Sequence, residues 1–268
     1  MRLKKLELYD VKNIRHGVIS FRTQPTGGSV TGIYGQNGSG KTSVINAMQI
    51  LRLLMSGSPL RGDVADVFIR EGGSVANAHA TFDTPLGEVD YTVVLTYGNE
   101  GMRITRETLE LKPLDGRRTR RRTIADYMVE YDETSGLLKP TIRPVSQWNS
   151  LKSIGHLSSL FRQESALAFD QNRSMLFSPN FITYLENAKE QLKQAGGSIP
   201  SAKGEALDQI LTPLLRIIAQ LSSFAIDNMR IVTTREGATV CFGYTPLARG
   251  RGFDILDIGR PCVVPPEV

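Results

Sequence analysis

Leu3, Leu6 and Leu8 open the chain with the alternation of a half-buried strand, and Val18, Ile19 and Phe21 predict a second. Between them Asn13 to Gly17 reads as a turn, and Thr26-Gly27-Gly28-Ser29 reads as another, leading into a short strand from Val30 to Tyr34. The period then changes. From Thr42 to Met55 the positions Val44, Ile45, Ala47, Met48, Ile50, Leu51, Leu53 and Leu54 cover most faces of a helix, which predicts one buried nearly all round. Strands return from about Val75 to Val145. Val89, Tyr91, Val93 and Leu95 alternate, Tyr97 to Gly101 supplies a turn, and Tyr127 to Tyr131 with Lys139 to Val145 predicts a hairpin around Glu133-Thr134-Ser135-Gly136. Connections this short imply an antiparallel meander.

A helical stretch follows. Ser178-Pro179 is a start signal, with a serine oxygen to cap and a proline that loses no needed N–H. Phe181, Leu185, Ala188 and Leu192 recur on one face until Gly196-Gly197. Thr212-Pro213 repeats the signal before Leu214, Leu215, Ile217, Ile218 and Leu221. Two short strands, Arg230 to Thr234 and Thr239 to Phe242, come next and are expected to begin the return to the core sheet. The single tryptophan, Trp148, is placed at a junction between subdomains. The division is therefore 1–146, 147–229 and 230–268.

Gly35-Gln36-Asn37-Gly38-Ser39-Gly40-Lys41-Thr42 fits G-x-x-x-x-G-K-[ST], with a predicted strand before it and a helix after it. Glycines let the backbone curl so that successive N–H groups point at phosphate oxygens, and the helix presents its positive end to the same anion. By this reading residues Gly35 to Ser43 bind the phosphates of a nucleoside triphosphate, Lys41 reaches the β- and γ-phosphates, and the Thr42 hydroxyl sits on Mg²⁺. A chance match in a chain this long is expected on the order of one time in a hundred at ordinary residue usage.

The loop Gly35 to Thr42, reached through an N-terminal strand pair whose turn reads Asn13-Ile14-Arg15, resembles the RecF/SMC-type ABC ATPase heads and the bacterial AAA-type ATPases related to the OLD proteins. That resemblance is specific over residues 1 to about 55 and architectural beyond. It implies an α/β fold: a P-loop NTPase core of the ABC-head type with a flanking antiparallel sheet and a helical subdomain. It also implies ATP rather than GTP, Asn13 and Arg15 near the nucleotide, a homodimer sandwiching ATP, and work in DNA maintenance or defence against phage.

Two parts of such a head have no good match. Tyr127 to Glu133 is interrupted by Glu130 where a Walker B strand is continuously apolar, and Phe253 to Asp257 has Gly259 where the glutamate belongs. Leu157-Ser158-Ser159 lacks the glycines of a signature segment, and Gln147, Gln163 and Gln171 are equal candidates for a Q-loop. The expectation is an N-terminal part of a longer ATPase. A complete protein that binds nucleotide and hydrolyses it poorly is the alternative, and a P-loop kinase acting on a small molecule is the rival class.

Composition changes this picture little. The chain has 268 residues, 40% of them apolar, and a formal net charge of +5, which permits a nucleic-acid partner without requiring one. Arg117, Arg118, Arg120, Arg121 and Arg122 cluster and could contact phosphates of DNA, or simply stand in water at a hairpin tip. Cys241 and Cys262 lack metal or redox spacing, and His16, His79 and His156 lack ligand spacing. With no signal-peptide core and no apolar run of membrane length, a cytoplasmic protein is expected. Arg173-Ser174 before Met175-Leu176-Phe177 is a basic-Ser-apolar run without an evident mechanism.

Overall fold

The computed structural model describes residues 1–21, 33–34, 36, 38–60, 68–98, 101–114, 120–132, 137–143, 172–194, 201–234 and 237–242. Among them seven strands form one antiparallel sheet: β1 (Arg2–Val11), β2 (Ile14–Ser20), β3 (Val75–Thr84), β4 (Gly87–Gly98), β5 (Gly101–Pro113), β6 (Arg122–Asp132) and β7 (Leu137–Arg143). Their order is β2-β1-β3-β4-β5-β6-β7, so β3 to β7 run as the expected meander and β1 joins it to the N-terminal hairpin. The fold is mixed α/β, and the antiparallel sheet expected to flank a core is itself the centre of the described residues.

Period-2 alternation decides which face is buried. Leu6 pairs with Ala80, Ala80 with Tyr91 and Tyr91 with Leu109, a row of buried side chains running across four strands. The next row, Leu8, Ala78 and Val93, continues the same face. Helices pack over it: α1 (Lys41–Met55) meets β1, while α2 (Pro179–Gln194) packs on α3 (Ser201–Ser223), which meets β6 and runs into a π-helical turn at Phe224–Asn228. Phe224 meets Phe82 edge-on at 5.7 Å and Phe177 meets Tyr91 edge-on at 5.2 Å, so helical layer and sheet interlock through aromatic pairs.

α1 is buried nearly all round, as its sequence predicts, with Thr42 its exposed position. It ends in a Schellman closure. The N–H of Gly57 bonds the Leu54 carbonyl at 2.9 Å and that of Ser58 bonds the Leu53 carbonyl at 2.9 Å. Gly57 has φ +68°, and a Cβ there would stand 2.7 Å from the Phe177 carbonyl oxygen, so glycine is required twice over. The start of α2 also follows the sequence: the Phe181 N–H donates to the Ser178 hydroxyl at 3.2 Å.

Three expectations are corrected. Pro213 lies inside α3, because that helix begins at Ser201, and Thr212 donates back to Asp208 at 2.7 Å. An interior proline costs roughly 3 kcal/mol. Leu211, Leu214, Ile217, Ile218 and Leu221, all buried, offset it. The strands past 230, β8 (Met229–Thr234) and β9 (Gly237–Phe242), pair with each other in a separate ribbon and do not extend the seven-stranded sheet. Of the short strand expected from Val30 to Tyr34, Ile33 and Tyr34 are described; they are exposed and lie outside any strand. Val30 to Gly32 lie outside the described residues, as do Trp148 and residues 243–268.

Candidate functional site

The site is built where the β1–β2 turn meets the start of α1. Asn13, Gly38, Gly40, Lys41, Thr42 and Ser43 line an open cleft of about 240 Å³ there. Gly38 (φ +83°) and Gly40 (φ +94°) hold left-handed conformations that other residues rarely adopt. Gly40 is constrained by space as well, since a Cβ would meet the Ile14 side chain at 2.9 Å. Thus Ile14, the residue after Asn13, seats the last glycine before the helix.

Among the described residues no side chain caps α1, and its own first turn holds no acidic residue, so the positive end of the helix faces the cleft. The first intrahelical bond runs from the Val44 N–H to the Gly40 carbonyl at 3.1 Å. Within the loop the Gln36 carbonyl accepts two donors: the Ser39 N–H at 3.1 Å and the Lys41 ammonium at 2.8 Å. These are donors of the kind that a phosphate oxygen would attract. Thr42 is exposed at the mouth.

Asn13 is tied to both sides of the loop. Its side-chain amide donates to the Gly38 carbonyl, and its oxygen accepts from the Ser43 hydroxyl at 2.6 Å. Its turn is braced in turn. Asp10 and Lys12 have positive φ of 51° and 50°. The Lys12 N–H donates to the Phe68 carbonyl at 2.8 Å, and the Arg70 N–H donates to the Asp10 carbonyl at 2.9 Å. The Lys12 ammonium faces the Asn46 side chain on α1, whose oxygen accepts from it when the amide takes the orientation that satisfies both groups, and burial holds the Lys12 pKa below the ordinary lysine value.

Of the residues predicted from sequence, Asn13, Gly38, Gly40, Lys41, Thr42 and Ser43 come together in the cleft, and Gln36 and Ser39 belong to the same loop. Gly35 and Asn37 lie outside the described residues. Arg15 is exposed on β2 and does not line the cleft. Arg117 and Arg118 lie outside the described residues, whereas Arg120 is exposed and Arg122 half-buried. Arg121 turns onto the sheet, pairing with Glu88 and standing 2.6 Å from Asp90.

Tyr127 to Asp132 belong to β6, which pairs with β7 as the predicted hairpin, in agreement with reading that stretch as no Walker B strand. The segments at 157–159 and 253–257, the three glutamines, and His156 lie outside the described residues. His16 stacks on Tyr9 at 4.5 Å, and His79 lies 3.2 Å from Asp90. Among the described residues no His, Cys, Asp and Glu cluster is arranged to hold a metal ion.

Sequence reasoning missed two buried acids, Asp90 on β4 and Glu107 on β5. Glu107 on β5 is fully buried and accepts from Tyr91 Oη at 2.5 Å, Ser174 Oγ at 2.5 Å and the Met175 N–H at 2.7 Å. The basic-Ser-apolar run thereby acquires its mechanism: Ser174 and Met175 are pinned to the sheet. The neighbouring Phe177 closes against Gly57 at the end of α1, and the Leu60 N–H bonds the Asn172 carbonyl at 2.7 Å. The alternation Glu107-x-Leu109-x-Leu111 carried the signal, because it puts the glutamate on the leucine face.

The family described as AAA domain matches the chain over residues 5–196. No curated protein matches it.

Proposed function

The chain belongs to the AAA domain family, and from that premise we propose that its cleft binds the phosphates of MgATP in an ATPase of the RecF/SMC/OLD type. The observation that carries the reading is the loop itself: two left-handed glycines and a lysine wrapped on the acid-free start of a buried helix. That donor set fits an anion, and an exposed first-turn threonine offers an oxygen that fits a hard cation.

In this reading residues Gly35 to Ser43 hold the triphosphate. Lys41 and the Ser39 N–H exchange the Gln36 carbonyl for phosphate oxygens, and Thr42 ligates Mg²⁺. Mg²⁺ held by Thr42 would supply charge neutralisation for the transferring phosphoryl group. Hydrolysis would then be mainly electrostatic, with Lys41 and backbone N–H groups placed before the charge develops. The finer assignment rests on the loop sequence and on the Asn13-Ile14-Arg15 turn that meets it. It implies a homodimer sandwiching ATP and work in DNA maintenance or phage defence, with Arg117, Arg118 and Arg120 as the arginines of the run that would meet DNA. Arg121, already paired with two carboxylates, is a poor candidate for that contact.

Calorimetry with MgATP and MgGTP on wild type and Lys41→Ala tests the proposal. Saturable MgATP binding, weakened about a hundredfold or more in the variant, is expected from the loss of a charge-assisted phosphate contact. A folded wild-type chain that binds neither nucleotide, or a variant that binds as well as wild type, would overturn it.

A further inference from the structure

The family resemblance places Asn13 beside the nucleotide, yet the hydrogen bonds give its side chain a different occupation. We infer that Asn13 is a positioning residue that holds the phosphate loop in its binding shape through Gly38 and Ser43. This inference rests on the proposed binding of nucleotide phosphates at the same loop.

The amide has one end on the Gly38 carbonyl and the other on the Ser43 hydroxyl, so it spans the loop from the middle to the first turn of α1. Something must do this work. Among the described residues a Cβ built on Gly38 would find nothing within 4 Å, so no side chain stands beside it as Ile14 stands beside Gly40. An unrestrained glycine samples many conformations, and each is lost again when a ligand needs one of them. Gly40 is different: Ile14 packs directly beneath it. Two consecutive residues of one turn therefore restrain both left-handed glycines, Ile14 by contact and Asn13 by hydrogen bonding.

The turn is rigid enough to serve as the fixed side. It is anchored by backbone bonds to Phe68 and Arg70, and by Lys12 reaching Asn46 on α1. The peptide that joins Gly38 to Ser39 is gripped at both ends, its carbonyl by Asn13 and its N–H by the Gln36 carbonyl. When phosphate replaces the Gln36 carbonyl, the Asn13 bond keeps that peptide from rotating. Preorganisation of this kind raises affinity without touching the ligand.

MgATP titrations of wild type, Asn13→Ala, Ser43→Ala and the double variant test the role, with Lys41→Ala as control and the melting temperature of each protein measured without nucleotide. Asn13→Ala is expected to weaken binding about tenfold, the equivalent of two ordinary hydrogen bonds, with the melting temperature nearly unchanged. Ser43→Ala should weaken it about threefold, and the double variant should bind no worse than Asn13→Ala, because Ser43 acts through Asn13. Losses that multiply would mean that the two side chains act independently, and would overturn the inference. Binding by Asn13→Ala within twofold of wild type would do the same. If Asn13→Ala does not fold, Ser43→Ala decides alone: unchanged affinity overturns the inference and a threefold loss supports it. Failure of wild type to bind, or unweakened binding by Lys41→Ala, would count against the nucleotide site itself.

Discussion

Glu107 and Asp90 are both buried carboxylates on adjacent strands of one sheet, but they occupy opposite faces and respond to burial in opposite ways. Glu107 pairs across the ladder with Val93 and shares the helix-covered face with Leu109. Burial pushes its pKa above the ordinary value of 4.5, and the hydrogen bonds from Ser174, Tyr91 and Met175 pull it back only in part. Asp90 sits beside Tyr91 in sequence and therefore points the other way. Burial pushes it up too, yet hydrogen bonds from His79 and Thr81 and the charge of Arg121 outweigh that and hold it below 3.8. Neutral donors make an acid bearable inside a core; a cation beside it keeps it ionised. The two sites also differ in what they secure. Glu107 fastens the 174–177 segment against the end of α1, and Asp90 holds Arg121 against the outer face.

The largest effect should come from breaking the inner site. Glu107→Ala leaves a tyrosine hydroxyl, a serine hydroxyl and a backbone N–H without their acceptor in a dry core, and is expected to cost about 3–5 kcal/mol in urea unfolding. Glu107→Gln keeps one acceptor oxygen and should cost clearly less. Equal losses in the two would show that the carboxylate's acceptors do not hold the segment.

The pH dependence of stability should then separate the faces. A carboxyl whose folded pKa is raised contributes stability that is fully present below its unfolded pKa and lost as pH rises through the folded value. Glu107 is of this kind, so wild type should lose stability relative to Glu107→Gln as pH climbs above about 4.5. Asp90 has the opposite sign: its contribution is present above 3.8 and lost as pH falls through its lowered folded pKa. The advantage of wild type over Asp90→Asn should therefore shrink in acid. Both changes are read as the difference in urea-unfolding stability between wild type and variant across each window. Profiles of the same sign would contradict the comparison.

Smallest is Arg121→Gln. The guanidinium is 38% exposed, so solvent screens its pairing, and about 1 kcal/mol or less is expected at neutral pH. Its mark should appear in acid, where the Asp90 transition moves to higher pH. An unmoved transition would assign the lowered pKa to His79 and Thr81 alone.

Much of this molecule was legible along the chain. The alternation of Val89, Tyr91, Val93 and Leu95, the all-round apolar helix read from Thr42 to Met55 and the Ser178 cap each depend on residues within a turn or two of one another. So does the glycine loop, whose conformation needs glycine wherever φ is positive. Pro213 misled because the burial that overrides its local cost comes from helix packing that no window reveals. Arg121 read as one more member of a cationic run because its acidic partners, Glu88 and Asp90, are on β4, some thirty residues away in sequence.

By itself, then, the sequence determined the local elements and the chemistry of the loop, since backbone sterics and side-chain period act over a few residues. The tertiary structure alone decided which polar groups would meet. Asn13 reaches Gly38 and Ser43 across 25 and 30 residues, and Glu107 reaches Ser174 across 67. Such pairs are chosen by how sheet and helices pack, and for Glu107 the pairing is obligatory, because a buried polar group must find its partner wherever the fold brings one within hydrogen-bond distance.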